Sequence, residues 1–440
     1  MSAGNPESTR AGRGPSGLVT RNESGDWAER RKGKPRRAIV LSGGGARGAY
    51  EAGVLRFILD ELPKRTGIEP DFEIVCGTSV GAIHSCFLAA TADEDRRGER
   101  LVEIWDNMRV HEIFNFTTRD FLKLPRRMAG VKHVAKLLRD GQRPDRLYGL
   151  LDTEPLERLV LQSIPWQGIR RNIRSGRIDT VCVAATQIAT GRAVVFCDSH
   201  RPELPPWANV ANVRMQRIRL SPLHALASAA IPMLFPSVRV GARYYVDGGL
   251  RLNTPLAPAV RLGADKMLVI GLTSETGGSV SETIAQERTA EFGNPMFLFG
   301  KVLNALMLSP IEADVSRLEF INRIIETGTE TFGDDFLQKL NEGLDPKGSR
   351  PLKPIENLVI RPSEDLGRVA GDVVRDDPDL DFGAFLGMLR RATGAGANTK
   401  EADLVSYLLF DSTYARRLIE IGHKDAEARE DEIAAFFSDD

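Results

Sequence analysis

The chain has 440 residues, a formal net charge of −1 and a hydrophobic fraction of 42%. That length suits one large globular domain or two to three ordinary ones. The near balance of acidic and basic residues argues against bulk nucleic-acid binding, which depends on a strong positive charge. Four cysteines lie in apolar runs without metal-ligand spacing, so we expect buried free thiols and a reducing compartment.

The first segment of the chain, residues 1–36, is rich in Gly, Ser, Arg and Glu. It lacks the apolar stretch of a secretory signal peptide, and we expect a disordered basic tail. Nowhere does the sequence contain the roughly 20 apolar residues that a membrane-spanning helix needs. The expected location is therefore the cytoplasm or the surface of a membrane, with peripheral contact only.

Two strand–turn–helix units follow in the next part of the chain. Residues 38–42 predict a buried strand, and residues 49–62 predict a helix that Pro63 should stop. Residues 72–76 and 80–92 predict a second strand and a second helix. This alternation is typical of an α/β fold with a largely parallel central sheet.

Further elements are predicted from short apolar runs and from helical periodicity. Strands are predicted at residues 180–186, 193–197, 238–249 (a hairpin around Gly241), 266–272 and 357–363, the last in the same sheet. Helices are predicted at residues 223–236, with a break at Pro232, at about 284–345, and over most of the last 75 residues.

The turn after the second strand, Gly77 to Gly81, has the pattern G-x-S-x-G with Ser79 at its centre. A serine at a tight strand-to-helix turn exposes its hydroxyl at the edge of the sheet, and the crowded turn requires small neighbours. The helix N-terminus also favours developing negative charge. The position of this motif predicts a nucleophile, and a glycine-rich packing turn is the alternative.

A nucleophilic serine needs a base. Only His423 lies late enough for the serine–acid–histidine order of α/β-hydrolases, and His84 is expected to be an ordinary packed histidine. A carboxylate can serve instead, because Asp247 ends an apolar strand and is followed by Gly248 and Gly249. These glycines would let another backbone or a substrate approach closely. An isolated Asp-Gly-Gly is otherwise a plain turn.

The glycine-rich loop after the first strand could hold a phosphate or an oxyanion. It lacks the lysine and the hydroxyl of a Walker A loop. Gly43, Gly45 and Gly48 match a dinucleotide-binding fingerprint, but the second strand ends at Cys76 rather than at the required acid. We therefore favour backbone N–H groups that hold an oxyanion over a nucleotide site.

Four blocks together resemble those of the patatin-like phospholipases. They are GGGARG (43–48), GTSVG (77–81), ASAAIP (227–232) and DGG (247–249), in that order. The resemblance extends over about residues 37–275. It implies a serine lipid acyl hydrolase, of phospholipase A or lysophospholipase type, that works through an acyl-enzyme. It also implies a three-layer α/β fold with a mostly parallel sheet between helices, here with a helical C-terminal extension.

Carried over by motif, the resemblance makes Ser79 the nucleophile and Asp247 the base. The expected oxyanion hole consists of Gly43, Gly44, Gly45, Arg47 and Gly48, and the glycines that support the elbow and the acid turn are Gly77, Gly81, Gly248 and Gly249. Arg47 is expected to brace the loop rather than to contact substrate. The resemblance implies no cofactor and no metal.

We divide the chain accordingly into a tail (1–36), a catalytic core (37–275), a helical excursion that returns to a last strand (276–365) and a helical C-terminal region (366–440). Two segments are candidates for peripheral membrane contact. Residues 114–148 carry nine Lys or Arg against three acids, which suits an anionic lipid surface or a solvated cap helix. Residues 295–308 predict a buried crossover helix, a lid or an interfacial anchor.

The substrate is expected to be an acyl lipid, and no nucleic-acid partner is expected. The sequence leaves two other functions open. The same dyad could serve an acyltransferase or a thioesterase, or the scaffold could be a non-catalytic lipid-binding module.

Overall fold

A computed structural model describes residues 33–114, 144–147, 149–201, 203–205, 212–274, 311–344, 351–376 and 403–438. Residues 1–32 of the expected tail, nearly all of the basic segment 114–148 and all of the segment 295–308 lie outside these ranges. The predictions for them therefore stay predictions. Among the helices of the described ranges, none combines the length and the apolar character needed to cross a bilayer.

Nine strands of the described residues form one sheet at the centre of the fold. They are β1 (Arg37–Leu41), β2 (Ile74–Thr78), β3 (Thr180–Gln187), β4 (Arg192–Ser199), β5 (Val213–Arg217), β6 (Val238–Val240), β7 (Arg243–Asp247), β8 (Lys266–Ile270) and β9 (Glu356–Ile360). The main order is β5-β4-β3-β2-β1-β8-β9, and β7 pairs with both β3 and β6.

The sheet is mixed but mostly parallel, which confirms the predicted fold class. β1 pairs in parallel with β2 and β8, β2 with β3, β8 with β9, and β4 with β5. β4 and β7 run antiparallel to β3, and β6 and β7 form the hairpin expected around Gly241. The strand predicted at residues 357–363 joins this sheet as β9, as expected.

Helices cover the sheet. They are α1 (Ala49–Arg56), α2 (Leu62–Thr66), α3 (Val80–Ala90), α4 (Arg97–Asp106), α5 (Glu154–Ser163), α6 (Trp166–Arg174), α7 (Pro222–Ser228), α8 (Leu256–Leu262), α9 (Ile311–Phe332), α10 (Phe336–Leu344), α11 (Leu366–Asp376), α12 (Asp403–Leu408), α13 (Ser412–Glu427) and α14 (Glu430–Phe437). α9 and α10 are the described part of the helical stretch predicted at residues 284–345.

The core lies on both faces of the sheet, as the central strand β1 shows. Successive side chains of a strand point to opposite faces. Ile39 and Leu41 accordingly join the larger apolar cluster with α1, α3 and α4, whereas Ala38 and Val40 join a second cluster with α8 and α9. A strand buried on both faces reads as a continuous apolar run, which is why the sequence predicted β1 as a buried strand.

Two predicted helix ends are wrong. The first helix does not stop at Pro63, because a π-helical segment, Phe57–Glu61, connects α1 to α2, and α2 ends before Gly67. Pro63 lies in the first turn of α2, where a backbone N–H is not needed. The helix predicted at residues 223–236 ends at Ser228 rather than at Pro232. Pro232 has no N–H to donate to the carbonyl oxygen of Ser228, four positions earlier, and its ring would clash with that carbonyl, so the helix does not continue beyond Ser228.

The C-terminal helices pack directly on the first strand and the first helix. A Cβ added at Gly53 of α1 would lie 2.1 Å from the carbonyl oxygen of Ile419 in α13. A Cβ at Gly422 of α13 would lie 2.2 Å from the carbonyl oxygen of Tyr50. The two helices therefore approach so closely that each needs a glycine at the crossing. The guanidinium of Arg37 also donates to the carbonyl oxygens of Phe436 and Phe437.

Candidate active site

Ser79 occupies a strained turn between β2 and α3. Its backbone has φ 55° and ψ −123°, a conformation that residues with a Cβ rarely adopt. A strand that turns sharply into a helix brings the intervening serine to the carboxyl end of the strand. Ser79 is only 2% exposed and caps the N-terminus of α3, where the Ala82 N–H donates to its carbonyl oxygen.

The glycines on either side of Ser79 are required by space. A Cβ at Gly77 would lie 2.1 Å from the carbonyl oxygen of Gly81, and a Cβ at Gly81 would lie 2.5 Å from the carbonyl oxygen of Leu41. Both distances are far below van der Waals contact with a backbone atom that cannot move aside. Small neighbours are therefore obligatory in this turn.

Asp247 lies at the end of β7 and contacts Ser79 directly. The Ser79 Oγ–H donates to Asp247 Oδ2 over 2.6 Å, and the Gly249 N–H donates to Asp247 Oδ1 over 2.7 Å. A Cβ at Gly248 would lie 2.3 Å from the carbonyl oxygen of Ala184 in β3, so this turn also needs a glycine. The strand fixes the carboxylate, and the two glycines after it let the turn close around it.

The sheet explains why two residues so distant in sequence meet. Thr78, just before the serine, pairs with Ala184 of β3, and Asp247 pairs with the next residue of β3, Ala185. β3 is thus the common neighbour that places the ends of β2 and β7 side by side.

Asp247 is fully buried. The described groups that bond to its carboxylate, the Ser79 hydroxyl and the Gly249 N–H, are both uncharged. Burial raises its pKa from an ordinary 3.8 to about 7, although the hydrogen bonds from Ser79 and Gly249 lower it in part. Removal from water disfavours the charged form of a carboxylate. A carboxylate with this pKa is a far better proton acceptor at neutral pH than an exposed one.

Ser228, at the end of α7, holds the serine turn in place. Its Oγ accepts a hydrogen bond from the Ser79 backbone N–H over 2.8 Å and donates to the Ala184 carbonyl oxygen over 2.5 Å. The block 227–232 is recognisable in the sequence, but no role was predicted for this serine. A hydroxyl group that both accepts and donates a hydrogen bond can connect two segments of the chain. The sequence around Ser228 does not show which two segments it connects.

Some backbone N–H groups of the glycine-rich loop after β1 donate hydrogen bonds to carbonyl oxygens of the protein. The Gly43 N–H donates to the carbonyl oxygen of Asn253, and the Arg47 N–H donates to the carbonyl oxygen of Gly44. The Gly43 N–H, which was expected in the oxyanion hole, is thus engaged within the protein, whereas Arg47 was expected only to brace the loop. The N–H groups of Gly44 and Gly45 have no acceptor within the described ranges.

Gly45 and Gly44 fit where no larger residue would. Gly45 has φ 57°, and its Cβ would lie 2.3 Å from the carbonyl oxygen of Tyr407 in α12. A Cβ at Gly44 would lie 2.4 Å from the Leu272 side chain. The C-terminal region therefore forms one wall of the loop, which the sequence did not predict.

Arg47 braces the loop against the same helix. Its Nε donates to Ser406 Oγ over 2.8 Å, and its guanidinium lies 4.6 Å from the centre of the Tyr407 ring. A cation over an aromatic face is attracted by the ring. Gly48 also lies in a tight position, since a Cβ there would lie 2.4 Å from the Val80 side chain.

His84 belongs to a buried network behind the loop. The indole N–H of Trp105 donates to His84 Nε2, so the ring proton lies on Nδ1 and faces Glu51 Oε2 at 2.7 Å. The other oxygen of Glu51 accepts from the backbone N–H of Ser42, the residue that precedes the glycines. Burial raises the pKa of Glu51, and the hydrogen bond from His84 lowers it in part.

His84 is therefore a packed histidine, as expected, and neither it nor His423 bonds to Ser79. His423 lies against the Phe57 ring, with ring centres 5.6 Å apart. The four cysteines are buried free thiols, also as expected. Within the described ranges, no three or more His, Cys, Asp or Glu side chains converge in a way that could hold a metal ion.

Asn253 is a residue of the site that no sequence pattern predicted. It follows the acid turn by six positions, in a segment without regular periodicity. Its backbone and its side chain both bond to Gly43: its carbonyl oxygen accepts from the Gly43 N–H, and its Nδ2 donates to the Gly43 carbonyl oxygen over 3.2 Å. The only signal in the sequence is an asparagine a few residues after the acid turn, and its burial is known only from the structure.

Known proteins resemble this chain in sequence. A family model described as patatin-like phospholipase matches residues 39–260, just over half of the chain. A cGAMP-activated phospholipase of Pseudomonas aeruginosa is 26% identical over 360 residues, which cover 77% of this chain and 89% of that protein. A cGAMP-activated phospholipase of Vibrio cholerae serotype O1 is 26% identical over 226 residues, which cover 50% of this chain and 55% of that protein.

Solved structures also match. VipD from Legionella pneumophila has a TM-score of 0.31 and 11% identity, covering 87% of this chain and 91% of that chain. Human GIVD cytosolic phospholipase A2 has a TM-score of 0.38 and 14% identity, covering 92% of this chain and 59% of that chain. With a family model that matches half of its length, this chain belongs to the patatin-like phospholipase family.

Proposed function

We propose that this protein is a serine lipid acyl hydrolase of phospholipase A or lysophospholipase type, with Ser79 as the nucleophile and Asp247 as its base. One observation carries the proposal: the 2.6 Å hydrogen bond from Ser79 Oγ to a fully buried carboxylate at a strained strand-to-helix turn. A hydroxyl held against a base is the arrangement that nucleophilic catalysis requires.

In the first half of the reaction, Asp247 accepts the hydroxyl proton as Ser79 Oγ attacks the ester carbonyl carbon. The negative charge moves to the carbonyl oxygen of the tetrahedral intermediate. When the intermediate collapses, the alcohol portion of the lipid leaves with the proton from Asp247, and the acyl group stays on Ser79. The raised pKa of Asp247 supports both transfers, because a base near pKa 7 can take and return a proton at neutral pH.

The amides of Gly44 and Gly45 are the proposed donors to the tetrahedral oxygen. They are among the amides of the glycine loop that have no acceptor in the described structure. Donors that are already fixed before reaction cost no reorganisation, and one such donor contributes about 3 to 4 kcal/mol in a well-studied hydrolase. Arg47 would act only by bracing this loop.

A small apolar cavity of about 60 Å³ lies close to Ser79 in the chain, and its apolar walls are compatible with part of an acyl substrate. Val80, the residue after Ser79, is one of its walls, and the cavity lies between α3, α4 and α5, with Phe87, Trp105, Leu156 and Phe410 also among its walls. Burial of methylene groups in such a site is favourable, by about 0.8 kcal/mol per CH₂. A larger open groove of about 860 Å³ between α4 and α5 has charged walls and includes neither Ser79 nor Asp247.

The activity should depend on pH through Asp247. Only the ionised carboxylate can accept the serine proton, so kcat/KM should rise with pH, reach half its maximum near pH 7 and stay level above it. The measurement is the rate of p-nitrophenyl ester hydrolysis from about pH 5 to about pH 9, with circular dichroism to show that the fold persists. A rate that stays level down to about pH 5 would contradict a base with this pKa.

The proposal is tested with purified protein and vesicles of phosphatidylcholine or lysophosphatidylcholine, with and without anionic lipid. We expect free fatty acid to be released, as measured by mass spectrometry, and a fluorophosphonate probe to label Ser79. Both relatives carry the words cGAMP-activated in their names. The assay is therefore run with and without cGAMP, so that a requirement for an activator is not mistaken for inactivity.

The alternative functions give different results in the same assay. Transfer of the acyl group to an added alcohol or thiol in preference to water would indicate an acyltransferase, and preferential cleavage of acyl thioesters would indicate a thioesterase. No labelling of Ser79 and no release from any ester, with or without cGAMP, would indicate a non-catalytic lipid-binding module and would end the proposal.

A further inference from the structure

Three consecutive residues after the acid turn, 252–254, each form hydrogen bonds with a different part of the site. The carbonyl oxygen of Leu252 accepts from Thr78 Oγ1 over 2.7 Å, and Thr254 Oγ1 lies 2.9 Å from Ser42 Oγ. Between them, Asn253 makes its two hydrogen bonds to Gly43. The Asn253 side chain is therefore held from both sides, and its position is fixed before any substrate binds.

The amide of Asn253 can take only one orientation here. Its Nδ2 faces the Gly43 carbonyl oxygen, which can only accept a hydrogen bond. A flipped amide would bring two oxygens together. Asn253 Oδ1 must therefore point away from that carbonyl, and it finds no hydrogen-bond partner among the residues that the structure describes. The residue is only 4% exposed, and buried polar atoms are normally hydrogen-bonded.

Asn253 Oδ1 lies on the side of Gly43 that faces Ser79. A Cβ added at Gly43 would lie 2.4 Å from Asn253 Oδ1 and 3.0 Å from Ser79 Cβ. The asparagine oxygen and the serine side chain therefore both flank the position that a Gly43 side chain would occupy. This placement makes Oδ1 an acceptor for a group that reacts at Ser79.

An acceptor in this position cannot stabilise the tetrahedral oxygen, because it would repel negative charge. It suits a hydrogen-bond donor that approaches the acyl group on Ser79. We propose, resting on the function proposed above, that Asn253 orients the water that hydrolyses the acyl-enzyme, by accepting a hydrogen bond from it at Oδ1. The attack of Ser79 on the lipid involves no water, and the proton of its hydroxyl goes to Asp247, so Oδ1 has no hydrogen bond to accept from the nucleophile in that step.

Hydrolysis of the acyl-enzyme needs no reactant other than this water. The water oxygen attacks the acyl carbonyl carbon, one of its protons passes to the Asp247 carboxylate, and its second O–H donates to Asn253 Oδ1. The tetrahedral intermediate then breaks the bond between the carbonyl carbon and Ser79 Oγ. Asp247 returns its proton to Ser79 Oγ, and the products are a free fatty acid and the original serine.

The test separates the two halves of the reaction in the full-length chain. With a p-nitrophenyl ester, acylation is measured as the initial burst of p-nitrophenol, and deacylation as the later steady rate. We expect Asn253→Ala to lower the deacylation rate constant by about 10- to 100-fold while the acylation rate constant changes by less than about threefold. The acyl adduct on Ser79 should then accumulate and be visible in the intact mass.

Two further variants keep the test decisive. Asn253→Leu removes the acceptor but fills the same space, and it should behave like Asn253→Ala if the loss of Oδ1 is the cause. Thr254→Val is the matched control, because it removes one hydrogen bond from the same segment and leaves Oδ1 in place. It should change both rate constants by a similar factor, without accumulation of the adduct.

The outcomes distinguish this inference from the proposed function. If the wild-type protein hydrolyses no ester, the proposed function fails and this inference fails with it. If the wild type is active and both Asn253 variants deacylate within about twofold of it, only the role of Asn253 is overturned. A parallel loss of acylation and deacylation, without an adduct, would show that Asn253 merely supports the glycine loop and would also overturn it.

Discussion

Replacing Ser79 by alanine should lower ester hydrolysis by at least about 10,000-fold and abolish labelling by a fluorophosphonate probe. The substitution removes the one oxygen that lies 2.6 Å from Asp247 Oδ2, while the turn and its hydrogen bond to Ser228 remain. Binding of lipid should persist, because the substitution removes only a hydroxyl group and leaves the apolar side chains of the protein in place. The measurements are fatty acid release from vesicles, probe labelling and co-sedimentation with the same vesicles.

The matched control is Ser85→Ala, the same change six residues further along the chain in α3. Ser85 is buried, and its hydroxyl has no hydrogen-bond partner among the described residues. Activity and labelling of this variant should stay within about twofold of wild type, since a surplus buried hydroxyl contributes little. Retained activity in Ser79→Ala would disprove the assignment of the nucleophile, whatever the control shows.

Asp247→Asn should lower kcat by about 1,000-fold or more, with little change in size at the site. The amide oxygen of the variant would accept from the Gly249 N–H, as Oδ1 does now, so the amide NH₂ would face Ser79. That group donates a hydrogen bond and cannot accept the serine proton. The variant should therefore bind substrate and react slowly, with no rate increase near pH 7.

The same substitution should stabilise the fold at neutral pH. The pKa of Asp247 is about 7 in the folded protein and about 3.8 when unfolded, so the unfolded state ionises first as pH rises. Wild-type stability therefore falls between about pH 4 and pH 7, by about 2 to 4 kcal/mol in all. The amide that replaces the carboxyl group cannot ionise, so the Tm of Asp247→Asn should exceed that of wild type at pH 8 and approach it near pH 4.

Asp60→Asn is a suitable control for the loss of activity that we expect in Asp247→Asn. Asp60 is also a buried acid, and burial raises its pKa, but it accepts hydrogen bonds from the Gly98 and Glu99 N–H groups at the start of α4. Its neutralisation should leave kcat within about twofold of wild type. Near-normal kcat in Asp247→Asn, or a Tm below wild type at pH 8, would contradict the role and the burial argued for Asp247.

Much of the fold could be predicted because its elements follow local rules. The run RAIVL is apolar at nearly every position, which predicts a strand buried on both faces, and it forms β1 at the centre of the sheet. The two wrong helix ends have a common cause. A proline lacks the N–H that bonds four residues back, so it is tolerated in a first turn, as at Pro63, and stops a helix that would have to continue through it, as at Pro232.

Some residues of the candidate site could also be predicted from local sequence, and others could not. The G-x-S-x-G and D-G-G motifs could be found in the sequence because each describes one tight turn, whose need for small residues is local. Ser228 and Asn253 could not be found in this way, because each acts on a residue far along the chain. Ser228 bonds to the Ser79 N–H across 149 positions, and Asn253 bonds to the Gly43 carbonyl oxygen across 210.

The sequence by itself determined the strands, the turns and the residue types available for chemistry, since these depend on periodicity and on backbone freedom. Only the tertiary structure decided which of them meet. It placed Ser79 and Asp247 together across 168 positions through their shared neighbour β3, and it placed Tyr407 of the C-terminal region against Gly45. It also decided the pKa of Asp247, because the burial that raises it comes from packing around the carboxylate rather than from its neighbours in sequence.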